Sequence, residues 1–217
     1  LHQHGYLNKT ALAVQRMLQR AVQEELLARQ SAGEQLWDMS DRELINWLEN
    51  AKASLSRKLA EMLEKRRIYR SVLVLKPNDY GFVEKCHGKD LQVFEWSRTR
   101  LNKFSQNLQN IGRLRQLENN LAQECGLQKG ELLCALMPRF AKLLPKDLMV
   151  CTGDENQHYW LLERDKDHNK SLESDYLRTF AVRIIVVPEK RTQIAEKAEN
   201  INELLKNNAL EIEQKET

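Results

Sequence analysis

The sequence is poor in the residues that build most phosphate-binding and nucleophilic motifs. It has 8 glycines and 4 prolines among 217 residues, and it contains no glycine-rich phosphate loop, no nucleophile elbow and no paired glutamate motif. Its 4 cysteines show neither Cys-x-x-Cys spacing nor a histidine at metal-ligand spacing; they are Cys86, Cys125, Cys134 and Cys151. These features indicate neither a zinc site nor a disulfide framework, and we expect reduced, mostly buried thiols.

Long apolar runs are also absent. Runs such as Ile184 to Val187 have the length of a strand, whereas a transmembrane helix needs about 20 apolar residues. No basic head followed by an apolar stretch indicates a signal peptide. The sequence therefore predicts no membrane contact and a cytoplasmic location. It begins at Leu1 rather than at a methionine, which predicts a fragment, a processed product or a sequence whose beginning lies upstream.

Charge is abundant and nearly balanced. Charged residues make up 30% of the chain and the formal net charge is +3, which is too small to indicate nucleic-acid binding by itself. The stretch Lys52 to Arg70 and the polar side of Ser97 to Gln123 are basic, whereas Asp154 to Asp175 is acidic. A basic stretch could meet phosphates. For Lys52 to Arg70 we favour a solvated helix face whose cations lie near its C-terminus.

Helical spacing of apolar residues dominates the first half of the chain. It predicts a first helix from about Lys9 to Gln30, a short helix after a capping box of Ser40 and Glu43, and a third helix from Leu55 to Arg70. A heptad-like pattern predicts one long helix from Ser97 to Gln123. We expect its apolar seam to pack within the chain, with a dimer contact as the less favoured role.

Short runs rich in β-branched residues predict strands in the second half. They lie at Ser71–Leu75, Phe82–Lys85, Leu91–Phe94, Leu132–Met137, Asp147–Thr152, His158–Leu162 and Ala181–Val187. A last helix should run from Glu189 to about Asn207. The expected fold is mainly α with a small C-terminal α+β lobe. We divide the chain into helices (1–70), short strands with a long amphipathic helix (71–125), the α+β lobe (126–208) and a frayed tail (209–217).

Three groups of residues, in this order along the chain, resemble a known family. The first is Leu1-His2 with Tyr6 and Lys9-Thr10 at the head of an alanine-rich helix. The second is the capping box and a helix that ends in Arg66-Arg67-Ile68-Tyr69-Arg70. The third is a pair of aliphatic strands that end in proline, Leu133–Pro138 and Arg183–Pro188. The order is similar to the C-terminal half of HD-domain phosphohydrolases, in particular the dNTP triphosphohydrolases that include the sterile-alpha-motif and HD-domain enzyme.

The resemblance implies that residues 1–70 are the C-terminal helices of an HD-type domain. It also implies a parent enzyme in which a divalent metal polarises a nucleotide phosphate and activates water. The family holds that metal with histidines and an adjacent His-Asp pair, and this sequence contains no His-Asp pair. We therefore expect neither catalytic residues nor metal ligands of the parent in this chain. This half would close the nucleotide pocket and build the interface of a homo-oligomer.

The resemblance also assigns roles to three side chains. His2 and Tyr6 would contact the nucleotide substrate, and Lys9 would contact the phosphates of a regulatory nucleotide bound between subunits. If a helix began early enough, these residues would share one polar stripe at i, i+4 and i+7. Without the resemblance, His2 and Tyr6 are a frayed N-terminus and Lys9 is an ordinary exposed lysine.

A rival of another class is a non-catalytic interaction module whose basic helices bind nucleic acid or a protein partner. Nucleic-acid binding by such helices would depend strongly on salt, because phosphate contacts release counterions. The tryptophans do not favour base stacking, since we expect each to pack in the core or at a domain seam. They are Trp37, Trp47, Trp96 and Trp160.

Overall fold

The computed structural model describes residues 8–31, 33–78, 90–137, 149–151, 158–160, 166–167, 170–171, 174 and 180–215. Its helices are α1 (Lys9–Arg29), α2 (Asp41–Glu49), α3 (Ser54–Glu64), α4 (Arg98–Asn107), α5 (Ile111–Glu124), α6 (Arg191–Ala195) and α7 (Ala198–Lys215). Its strands are β1 (Arg70–Pro77), β2 (Gln92–Trp96), β3 (Leu132–Leu136), β4 (Met149–Cys151), β5 (His158–Trp160) and β6 (Val182–Val186). The predicted class, mainly α with an α+β lobe, is confirmed.

The first helix forms where its periodicity predicts it. Asn8 is its N-cap, and the Asn8 side chain accepts a hydrogen bond from the Thr10 N–H at 2.8 Å, which satisfies one of the free donors at the helix start. Gln30 ends the helix in the left-handed conformation, at φ 54°. The apolar face, which includes Leu12 and Met17, is buried in the core.

The next two helices show one confirmed prediction and one correction. Ser40 and Glu43 form the predicted capping box at the start of α2. The third helix ends at Glu64 rather than at Arg70. Arg66 turns the chain with φ 54°, and Arg70 already pairs with Val186 in the sheet.

The main sheet has four strands in the order β2-β1-β6-β3. β1 runs parallel to β2 and antiparallel to β6, and β6 runs antiparallel to β3. Every residue of β6 is buried, including Arg183. Burial of both faces explains the apolar run from Ile184 to Val186, since a strand covered on both faces needs no alternation. Both predicted segments, 71–125 and 126–208, contribute strands to this sheet. β4 and β5 pair separately as an antiparallel ladder, and the predicted strand at 82–85 lies outside the described residues.

The described helices and the sheet share one hydrophobic core. At the side of α4, the Trp96 ring packs against Phe104 with centroids 5.4 Å apart. The Trp96 indole N–H donates to Asn202 Oδ1 on α7 at 3.0 Å, so the buried polar group has a partner. Packing of this kind fixes α4 and α7 to one edge of the sheet.

The predicted long helix from Ser97 to Gln123 is wrong, because the chain forms α4 and α5 with a break at residues 108–110. Asn110 is the N-cap of α5, and its side chain accepts from the Arg113 N–H at 3.1 Å. The break lets both halves keep their leucines buried, among them Leu101 and Leu117. The last helical stretch also differs from the prediction, since α7 continues to Lys215.

The tryptophans differ in their environments. Trp96 is buried and Trp47 is partly buried, in agreement with the prediction. Trp37 is 90% exposed and Trp160 is 43% exposed. The prediction that Trp37 packs in the core is therefore wrong. The predicted alternative, packing at a domain seam, would require another domain.

Gly130 lets the backbone pass close to Leu55 of α3, and a substitution there tests this packing. Its φ is +85°, and an added Cβ would lie 2.5 Å from both methyl carbons of Leu55. We expect Gly130→Ala to lower the free energy of unfolding by roughly 2–4 kcal/mol, from backbone strain and overpacking. Gly126→Ala is the matched control, because Gly126 has φ +72° with nothing within 4 Å of an added Cβ. If urea unfolding showed the same loss of stability for both variants, the contact of Gly130 with Leu55 would be contradicted.

Candidate functional site

A buried ion cluster joins α1 to α5 and β3. Glu118 Oε1 accepts from Arg16 Nε at 2.7 Å and from the Cys134 backbone N–H at 2.8 Å. Glu118 Oε2 accepts from Arg16 at 2.6 Å and from Arg20 at 2.7 Å. Arg16 is 4% exposed, and Arg20 and Glu118 are not exposed at all. Such charges are tolerated inside a protein only when they are paired and hydrogen-bonded, as these are.

The cluster continues toward the surface through Glu24. Arg115 donates to both carboxylate oxygens of Glu24, at 2.6 and 3.2 Å. Arg20 Nε lies 3.0 Å from Glu24 Oε1 as an ion-pair contact without hydrogen-bond alignment. Burial by itself would raise the pKa of Glu24, but Arg115 and Arg20 hold it below its ordinary value. Glu24 therefore stays ionised at neutral pH.

A second buried carboxylate, Glu25, fixes α3 to α1. Its oxygens accept from the backbone N–H groups of Lys52 and Ala53, each at 2.9 Å, and from Arg29. Ala53 is the N-cap of α3 and has no side chain that could serve as a cap. Glu25 instead accepts from the two N–H groups just before the helix, and so holds the start of α3 against α1.

The outer face of α1 lines an apolar groove of about 740 Å³. Its walls come from α1, α2, the break between α4 and α5, and the end of β3. The apolar lining includes Leu12, Leu18, Val22, Leu26, Leu44, Leu108, Ile111, Leu114, Leu136 and Met137. The cluster of Arg16 and Glu118 lies beside its floor.

The rim of this groove is unusual for an exposed surface. Its polar groups are mostly uncharged amides, such as Gln15 and Gln19. Leu27 is 54% exposed and Ile111 is 60% exposed. A contiguous apolar surface of this kind is typical of a contact with another protein element.

The groove offers little for chemistry. Among the described lining residues, Cys134 carries the only thiol, and burial raises the pKa of that thiol far above its ordinary value. A neutral buried thiol is a poor nucleophile. In the described part of the chain, no group of three or more His, Cys, Asp or Glu side chains could hold a metal ion. The described lining is suited to apolar contact.

Of the three side chains to which the resemblance assigned roles, the structure describes only Lys9. Lys9 is exposed and is the first residue of α1, whose N-cap is Asn8. His2 and Tyr6, and with them the predicted stripe, lie outside the described residues. The roles of the three residues stay predictions.

Three of the seven cations of the stretch Lys52 to Arg70 pair with acids. Lys58 pairs with Glu131 at 3.1 Å, Lys65 pairs with Glu61, and Arg67 pairs with Glu189. Exposed pairs of this kind contribute little to stability, but they reduce the positive charge available to phosphates. This favours the solvated helix face over a nucleic-acid surface.

The buried cluster is the feature that sequence reasoning missed. Arg16 and Arg20 stand four residues apart, next to Ala13, Met17 and Ala21 on the buried side of α1. Charged residues at core positions are a signal for a buried ion pair. The signal could have been found, but the acidic partner about 100 positions away could not.

Comparison with known proteins adds one finding about this region. Residues 6–97 match the family model described as the HD associated region. The match runs from the approach to α1 through β2 and links the chain to HD-domain proteins. The chain matches no curated protein and no solved structure. None of the helices in the described ranges combines the length and apolar character needed to cross a bilayer.

Removal of the Glu118 charge should destabilise the protein strongly. We expect Glu118→Gln to lower the free energy of unfolding by about 3–5 kcal/mol, because Arg16 and Arg20 would stay buried without their anion. Glu124→Gln, on the same helix but exposed, should change it by less than about 0.5 kcal/mol. Urea unfolding measures both, and a small loss for Glu118→Gln would show that the cluster does not hold α1.

The Glu25 contact should make stability depend on pH. Burial opposes ionisation of Glu25, but the Ala53 and Lys52 N–H groups and Arg29 hold its pKa below the ordinary value. Its contribution is therefore fully present above the unfolded pKa of about 4.3 and is lost as pH falls through the folded pKa. We expect the Glu25→Gln variant to be less stable than the wild-type protein at pH 7, and to lose less stability than the wild-type protein when the pH is lowered. Parallel stability curves from pH 7 to 3 would contradict this.

Proposed function

We propose that this chain is the C-terminal part of a metal-dependent HD-type nucleotide phosphohydrolase of the dNTP triphosphohydrolase kind. In this proposal it contributes a wall of the nucleotide pocket and part of the interface of a homo-oligomer. The observation that carries the proposal is the match of residues 6–97 to the HD associated region. The matched segment includes α1, which presents an apolar groove to its surroundings.

The groove supports a role in domain or subunit contact. Exposed leucine and isoleucine side chains are costly to leave in water, and their burial stabilises an interface by roughly 25 cal/mol per Å² of apolar area. Leu27 and Ile111, which both line the groove, are more than half exposed. An HD domain or a second subunit that covers them would gain this stabilisation.

The position of Lys9 supports a contact with phosphate. Lys9 is exposed at the N-terminal end of a helix of 21 residues. The free N–H groups and the dipole of a helix N-terminus favour anions, and a lysine ammonium adds a point charge for phosphate. His2 and Tyr6 precede this helix and are proposed to hydrogen-bond the sugar or phosphate oxygens of the substrate.

The reaction follows from the proposed class. A divalent metal held by the HD domain would polarise the phosphate and activate water. Hydrolysis between the 5′ oxygen and the α-phosphorus releases a deoxynucleoside and triphosphate. The residues of this chain bind and orient the nucleotide.

The test uses the gene product that contains these 217 residues. Its intact mass is measured first, and the same material is assayed with each dNTP in the presence of Mg²⁺ or Mn²⁺. We expect a longer protein that releases deoxynucleoside and triphosphate. A mass that corresponds to 217 residues, together with no hydrolysis of any nucleotide, would refute the proposal and leave the interaction module as the working hypothesis.

A pair of surface variants tests the role of the groove. Leu27→Glu places a charge on the groove rim, and Leu210→Glu places the same charge on α7, where Leu210 is 41% exposed. We expect Leu27→Glu to lower hydrolysis at least tenfold more than Leu210→Glu does, and to dissociate the oligomer into smaller species, which Leu210→Glu should not do. Equal effects of the two variants would exclude the groove as an interface.

A further inference from the structure

A second groove runs along the outer side of α5, beyond the matched residues. Its volume is about 710 Å³, within the roughly 300–1,000 Å³ of small-molecule sites. Unlike the apolar groove, it is lined mainly by polar side chains. They are Arg115, Gln116, Asn119, Asn120, Gln123 and Lys129. No carboxylate belongs to the described lining, so the groove offers chiefly hydrogen-bond donors and positive charge.

The ion cluster behind this groove carries more positive than negative charge. Arg16, Arg20 and Arg115 surround the carboxylates of Glu24 and Glu118. Lys129 is close enough to Glu24 to help lower its pKa. With Lys129 the cluster holds four cations and two carboxylates. An anion in the groove would be attracted by this excess positive charge.

Two of the lining side chains are held in place by the cluster. Asn119 Oδ1 accepts from the buried Arg20 at 2.7 Å, which leaves the amide nitrogen of Asn119 to donate to a ligand. Arg115 is fixed by its two hydrogen bonds to Glu24 and keeps one terminal nitrogen for another acceptor. Donors that are already oriented lose less conformational entropy when a ligand binds.

We infer that this groove binds a small anion that carries a phosphate chain, through Arg115, Asn119 and Lys129. Phosphate oxygens are acceptors only, so they match a lining of amide N–H groups, a guanidinium and an ammonium. The groove follows α5 from Gly112 to Gln123, a rise of roughly 16 Å at about 1.5 Å per residue. This length suits a di- or triphosphate, free or in a nucleotide, better than a single phosphate. The site does not depend on the proposed hydrolase activity.

Calorimetric titration of the 217-residue protein with inorganic tripolyphosphate tests the inference. We expect Lys129→Glu to weaken binding at least tenfold. Lys103→Glu is the matched control, because Lys103 is exposed on α4 outside the groove, and it should change binding less than threefold. Circular dichroism checks that each variant is folded.

No binding of tripolyphosphate at millimolar concentration, or equal losses for Lys129→Glu and Lys103→Glu, would each overturn the inference. A parallel titration with dATP distinguishes the source of the phosphate chain. Equal affinity assigns recognition to the phosphates alone, and tighter binding of dATP adds a nucleoside contact along Gln116 and Asn120. Since binding is measured without turnover, a failure here is distinct from a failure of the hydrolase proposal.

Discussion

Two arginines on α1 and one glutamate on α5 hold the first helix against the rest of the molecule. The Glu118 carboxylate accepts four hydrogen bonds, from Arg16, Arg20 and the Cys134 backbone. Because the three charged side chains are almost completely buried, the helix cannot rotate or slide without leaving a charge unpaired in the interior. The contact therefore determines which face of α1 points inward, and the Glu25 carboxylate then sets the start of α3.

This constraint explains why α1 has two different surfaces. With its arginines turned toward α5 and β3, the helix presents Leu18, Val22 and Leu26 to the apolar groove. The groove belongs largely to the region that links the chain to HD-domain proteins. The helix that is most tightly held on its inner side is thus the one that offers an apolar surface to a neighbour. A rigid helix is a suitable element for a contact surface, because little conformational entropy is lost on binding.

The same cluster shapes the polar side of α5. The cluster has fewer carboxylates than cations, and its excess positive charge lies beneath a groove lined by amides. The two grooves differ in chemical character. The apolar groove is suited to a protein surface, and the polar groove is suited to a small anion. In the basic stretch that the composition emphasised, Lys58 and Arg67 pair with acids from distant segments, Glu131 and Glu189.

The sequence by itself determined the elements whose signals are local. The limits of α1, the Ser40 capping box and the strands around Leu73, Cys134 and Ile184 follow from periodicity, caps and β-branched runs within a few residues. The tertiary structure decided the rest: the strand order, the exposure of Trp37, and the pairing of Arg16 with Glu118 across 102 positions. Side-chain pairing at that separation depends on how elements pack, and no one-dimensional pattern records it. The proposed roles of His2 and Tyr6 rest on the resemblance alone, since no described contact reaches them.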